Sequence, residues 1–274
     1  MKNEEVNRFK KALRLKRNVI GVRFLYFPSD YEKCKAPQST YKVSYCKLTK
    51  IAIDGNHFKA NESNIICRCA IEAIGLDRKM EGVNSGQRYY SLNLYESRSV
   101  AKIVTDTIEN IDQTIVGIEM GPLEEMEEAD LVIFMCTPYQ LMRVVQGYSY
   151  KWGVPKNISM AGNQGMCADL TAAPFVHNDM NFSVLCAGTR KMCGWGEDEM
   201  GVGLPIQQFT PLTEGVIATM NYIEYPDHKQ EIRDSLVEED ELGVIVDDNL
   251  HYGKLGKDYI NPKRFNDLKR GNHD

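Results

Sequence analysis

The sequence predicts a single mixed domain, α/β or α+β, with a central sheet flanked by helices. Three observations predict it. Segments with helical apolar spacing mix with short apolar runs that suit buried strands. No low-complexity linker or internal repeat divides the 274 residues, a length that buries a substantial core. Strands and helices follow no strict alternation, which leaves the topology open. The domain is expected to span residues 1–246, followed by a polar C-terminal extension over 247–274.

Each element has its own signal. Residues 4–15 set Val6, Phe9, Leu13 and Leu15 at roughly helical spacing. "NVIGVRFLYF" (18–27) is β-branched and aromatic and reads as a buried strand closed by Pro28, with 28–38 a polar loop. "STYKVSYCKLTKIAIDG" reads as a helix started by Ser39 or Thr40 and stopped by Gly55. "NIICRCAIEAIGL" gives a second helix ending near Gly75, and "SRSVAKIVTDTIENI" a third. "TIVGIEMGPL" and "ADLVIFMC" are short apolar runs expected as buried strands. "PYQLMRVVQGYSYKWG" places Pro138 in a first helical turn and Gly153 at the stop. "GNQGMCADLTAAPF" (162–175) begins as a turn and ends as a helix. "NFSVLCAG" (181–188) and "GVGLPIQQF" read as strands, and 212–242 as helical.

Charge narrows the function. The net charge of -5 argues against a general nucleic-acid or membrane-surface binder, since both need a basic footprint. The charged N-terminus lacks an apolar signal region, and the longest apolar runs are too short to span a bilayer. The expected location is the cytoplasm. There, eight cysteines are not expected to form structural disulfides, so burial, metal binding or redox chemistry must account for them.

Familiar catalytic motifs are missing. The histidines at 57, 177, 228, 251 and 273 form no HExxH or paired spacing. There is no GxGxxG, no phosphate loop and no GxSxG elbow. Cys67 and Cys69 of "CRC" would point apart on a helix, and Cys186 and Cys193 are too far apart for a CxxC pair. The acidic run "GPLEEMEEAD" reads as a solvated face.

Several stretches taken together carry a resemblance: "CKLTKIAIDGNHFKA", "CRCAIEAIGLD", "TPYQLMRVVQGYSY", "GMCADLTAAPF" and "SVLCAGTRKMCGWGEDEMGVGLP". In that order, over about residues 8–222, they resemble the domain-of-unknown-function family numbered 169, the ArCR proteins. The family supplies a residue pattern more than an activity. Its cysteines fall on Cys46, Cys67, Cys167 and Cys186, while Cys34, Cys69, Cys136 and Cys193 lie outside it. Position 69 is usually glycine in the family, so Cys69 adds a thiol near the site.

Four thiols so spaced suit a site assembled by the fold. An iron–sulfur cluster, of the 4Fe-4S type, is the expected cofactor on Cys46, Cys67, Cys167 and Cys186. A structural zinc would mainly add folding energy that a core of this size scarcely needs. Arg190 would counter thiolate charge or clamp a substrate carboxylate. Asp169 reads as a first-turn acid, Glu199 similarly, and Asn163 and Gln164 as loop donors. The leading expectation is a cluster protein of anaerobic metabolism, carrying electrons or reducing a small-molecule ligand. The electrons would come from a redox partner protein, and "QLMRVVQGYSY" would offer a face for self-association. Two alternatives stay open: thiols that capture a small molecule or soft metal without a cluster, and a thiol enzyme using Cys167 as nucleophile. Whether the protein is an enzyme stays open with them.

Overall fold

The computed structural model describes residues 2–77 and 85–252. The chain order is α1 (Lys2–Leu13), β1 (Ile20–Leu25), α2 (Pro28–Lys33), α3 (Tyr45–Ile53), β2 (Phe58–Ala60), α4 (Arg68–Ala73), α5 (Gln87–Ser91), α6 (Arg98–Thr107), β3 (Gly117–Pro122), β4 (Leu131–Cys136), α7 (Pro138–Trp152), a π-helical segment (Gly165–Ala172), α8 (Ala173–His177), β5 (Asn181–Ser183), α9 (Ala187–Cys193), β6 (Met200–Pro205), α10 (Ile206–Ile223) and α11 (Pro226–Ser235). The strands form one six-stranded sheet in the order β2-β3-β1-β4-β6-β5, and every neighbouring pair is antiparallel. The mixed domain with a helix-flanked sheet expected from the sequence is therefore present. Of the expected C-terminal extension, residues 253–274 lie outside the described residues. Among the described residues, no helix is long and apolar enough to cross a membrane.

Side-chain alternation explains why "LVIFMC" lacks a polar face. Leu131, Ile133 and Met135 of β4 enter one core, with α3, α4 and the π-helical segment. Val132, Phe134 and Cys136 enter the other, with α1, α7 and α10. Both faces are covered, so every position is apolar.

Local chemistry sets the helix ends. Thr137 and Gln140 form a capping box at the start of α7, Pro138 holds the first turn, and Gly153 ends it at φ 84°. Gly55 follows α3 at φ 100°, where a side chain would be strained.

Several boundaries differ from expectation. The loop 28–38 contains α2, with Pro28 at its first turn. The helix expected from Ser39 begins at Tyr45 instead, with Ser44 as its cap accepting from Lys47 N. Residues before it are tied elsewhere: Ser39 N bonds Lys59 O, and the Asn64 amide binds the carbonyls of Ser39 and Tyr41. "NFSVLCAG" is a strand only to Ser183, and Cys186 starts α9. "GVGLPIQQF" is a strand only to Pro205, where α10 takes over. The C-terminal helical region breaks at Glu224–Tyr225, before Pro226.

Candidate functional site

The π-helical segment is the centre of the site. Its backbone bonds reach five residues back, as in Asp169 N to Gln164 O at 3.3 Å and Ala173 N to Ala168 O. Such wide turns are rare and cluster at functional sites. β6 makes room for it. Val202 and Leu204 turn to the α7–α10 side, leaving Gly201 and Gly203 facing Leu170. A Cβ at Gly203 would stand 2.1 Å from the Leu170 carbonyl oxygen. A polar network pins the segment from the side. Ser183 donates to Asp169 Oδ2 at 2.7 Å, and Asn181 donates to the Asp169 carbonyl at 2.8 Å. Burial raises the Asp169 pKa to about 7 despite the Ser183 bond.

Four elements deliver four thiols to this segment. Cys46 lies in the first turn of α3, Cys67 caps α4, Cys167 lies within the π-helical segment, and Cys186 caps α9. Thr189, fully buried, joins two of them. Its hydroxyl donates to Cys46 Sγ at 3.0 Å and lies 3.2 Å from Cys186 Sγ, while its amide donates to Cys186 Sγ at 3.4 Å. Burial pushes the Cys46 thiol up to about 12, and Cys186 and Cys193 add to it while the Thr189 bond opposes. Burial also holds Cys167 well above an ordinary thiol, reinforced by Cys46, Cys186, Cys69 and Asp169. Cys167 in turn raises Cys67. Cys167 thus lies within electrostatic reach of the other three sequence-predicted thiols, and Cys46 within reach of Cys186.

Two more cysteines join them. Cys67, at a helix cap rather than inside the helix, faces Cys69 after all. The interaction between the two thiols keeps Cys67 protonated and eases ionisation of Cys69. Tyr89 Oη also donates to Cys69 Sγ, at 3.7 Å. Cys193 is raised to about 11 by burial, against the pull of Lys47 and Lys50. Cys34 and Cys136 are elsewhere, in a small cluster with Leu25 and in the opposite core.

Arg190 spans backbone. Its guanidinium donates to the carbonyls of Val184, Gly196 and Glu199 at 2.6–3.2 Å, bracing the loop behind Cys186. Glu199 pairs with Arg17 and accepts from Gly196 N. Gln164 lies behind Cys167, its carbonyl 3.7 Å from Sγ, and Asn163 bonds Tyr95. Thr189, Tyr89 and the Asp169–Ser183–Asn181 network had no sequence signal beyond the position of Thr189 three residues after Cys186.

The donor set was tested against the two metal groups. Among the described residues, no three His, Cys, Asp or Glu side chains are grouped to hold one ion. Buried thiols that repel one another's charge fit a group that brings its own cations. The Trp195 indole N–H, in the same core cluster as Cys193, is buried without an acceptor among the described residues. A cavity of about 820 Å³ lies away from the thiols. It is lined by Tyr139 and Tyr150 of α7, Tyr222 of α10 and Tyr225, which caps α11, on the other side of the sheet.

An uncharacterized protein of Methanocaldococcus jannaschii, MJ0308, is 25% identical over 175 residues, covering 63% of this chain and 75% of its own. No solved structure matches. The model of the DUF169 family, uncharacterised ArCR proteins, matches residues 8–215, a stretch holding all four thiols and the π-helical segment, and the chain belongs to that family.

Proposed function

We propose that Cys46, Cys67, Cys167 and Cys186 hold an iron–sulfur cluster of the 4Fe-4S type, and that the protein transfers electrons or reduces a small molecule in a reducing, cytoplasmic setting. One observation carries the reading: three cysteines from distant segments, Cys46, Cys67 and Cys186, lie within electrostatic reach of the buried Cys167. The cluster would supply the redox chemistry. The residues of this chain hold it, hydrogen-bond its thiolates through Thr189, and shield it from water with the π-helical segment. The raised thiols make loading release protons, so uptake improves as pH rises.

The nucleophile reading fits less well. Cys167 is buried and its proton is held tightly, the reverse of an activated thiolate.

The test is anaerobic purification with iron and sulfide assay and an absorption spectrum, wild type beside Cys167→Ser. The expected result is about four irons and four sulfides per chain, lost in the variant. Colourless, iron-free wild type would reject the cluster and leave thiol capture of a soft metal or small molecule.

A further inference from the structure

The thiols of the site sit in a basic setting within an acidic chain. Residues 40–50, 64–70, 85–92 and 184–196 carry Lys42, Lys47, Lys50, Arg68, Arg88, Arg190 and Lys191 and no carboxylate, against a net charge of -5 overall. Lys50 is spent on Asp54, and Arg190 on backbone carbonyls. The remaining five form no ion pair with another described residue. Lys42, Arg68, Arg88 and Lys191 are exposed, and Lys47 is half-buried. Their charge reaches the thiols: Arg88 acts on Cys69 against Glu72, and Lys47 acts with Lys50 on Cys193 against Asp54.

Exposed aliphatic side chains stand among these cations. Ile66 is 60% exposed beside Cys67, Met192 46% beside Cys193, and Val184 45% two residues before Cys186. Cys67 and Cys186 are also the two least buried of the eight cysteines. Exposed aliphatics and cations flanking the same cysteines have the make-up of a transient protein contact, and electron-transfer contacts are among the smallest. A small anion would gain nothing from three exposed aliphatics, and cations spread over four segments suit a broad surface better.

We propose that this face docks an acidic electron-carrier protein over Cys67 and Cys186, with Ile66, Val184 and Met192 at the centre and Lys42, Lys47, Arg68, Arg88 and Lys191 around them. The proposal rests on the cluster reading and gives it the source of its electrons. Opposite charge speeds encounter and selects the partner, and salt weakens both.

The test titrates anaerobically purified full-length protein with an acidic plant-type ferredoxin, and separately with a flavodoxin, by calorimetry. Basic cytochrome c is the control. The expected result is saturable binding of an acidic carrier at low salt, weakened about tenfold or more at 0.3 M salt (roughly twice physiological ionic strength). Arg68→Glu with Lys191→Glu should weaken it by a similar factor, with iron content and melting temperature unchanged. Iron-loaded protein that binds neither carrier overturns the docking proposal and leaves the cluster standing. So does binding indifferent to the two charge reversals, or equal binding of cytochrome c. Iron assay of the same sample, made before any titration, reports separately on the cluster.

Discussion

Thr189 shows how one side chain can govern a site that its neighbours in sequence do not reveal. Its hydroxyl and amide reach two sulfurs from different helices, and hydrogen bonds to sulfur help set a cluster's potential. Thr189→Val keeps the shape and removes the donor. It should cost about 1–2 kcal/mol in urea unfolding and make the reduction potential more negative in an anaerobic redox titration. An unchanged potential would mean that the hydroxyl does not act on the cluster. Asp179 makes a prediction for acid. Burial alone would raise its pKa, yet Tyr148, Gln208, the Met180 amide and Asn157 all donate to it and hold it below the ordinary 3.8. A carboxylate depressed in the folded state stabilises fully above its unfolded value, and the gain is lost as pH falls through the lower folded one. Wild type should therefore lose stability below about pH 4 more steeply than Asp179→Asn; parallel curves by circular dichroism would refute it. The four thiols were legible as a set through the family pattern, and Cys69 as a further thiol near them. The approach of Cys69 to Cys67 and the place of Cys193 were not, because they depend on where Cys67 caps α4 and how α9 lies against α3.

The π-helical segment is made by its neighbours as much as by its own residues. "GMCADLTA" has small side chains and no amphipathic stripe, so periodicity reads only a turn becoming a helix. The two glycines on β6 let its backbone approach the strand, and nothing in "GVGLP" alone says what will lie across it. Gly203→Ala puts a methyl group into the Leu170 carbonyl. It should cost about 2 kcal/mol or more and lower the iron retained per chain; an unchanged melting temperature would mean that the segment is not seated on β6. Where local chemistry decides, the sequence was read correctly: Thr137, Pro138 and Gly153 bound α7 as expected. Where tertiary bonds compete, it was not. Ser39 looked like a cap, but the Asn64 side chain and Lys59 hold that stretch extended until Ser44.

Across the whole molecule, the sheet separates two sets of helices. α3, α4 and the π-helical segment bring the thiols together on one side, while α1, α7 and α10 build the core on the other. That second side contains a costly feature of its own. Arg143 of α7, with no exposed side-chain surface, pairs with Glu224, 2% exposed, at the end of α10. Arg143 Nη2 also donates to the Val216 carbonyl, and Glu224 accepts from Tyr139 Oη and His228 Nδ1. The partner of Arg143 lies 81 positions away, so the local pattern of α7 carries no signal of the pair. Desolvating two charges offsets most of their attraction, but removing one strands the other. Arg143→Met should therefore cost about 3–5 kcal/mol, and Glu224→Leu a similar amount. The double variant should recover a large part of the sum, a coupling that urea unfolding of all four proteins measures directly. Iron content should stay at the wild-type level in every variant that remains folded, since the pair and the thiols lie on opposite sides of the sheet. Iron lost in step with stability across the four would mean instead that the two sides act as one unit, with the site depending on the ion pair through the sheet.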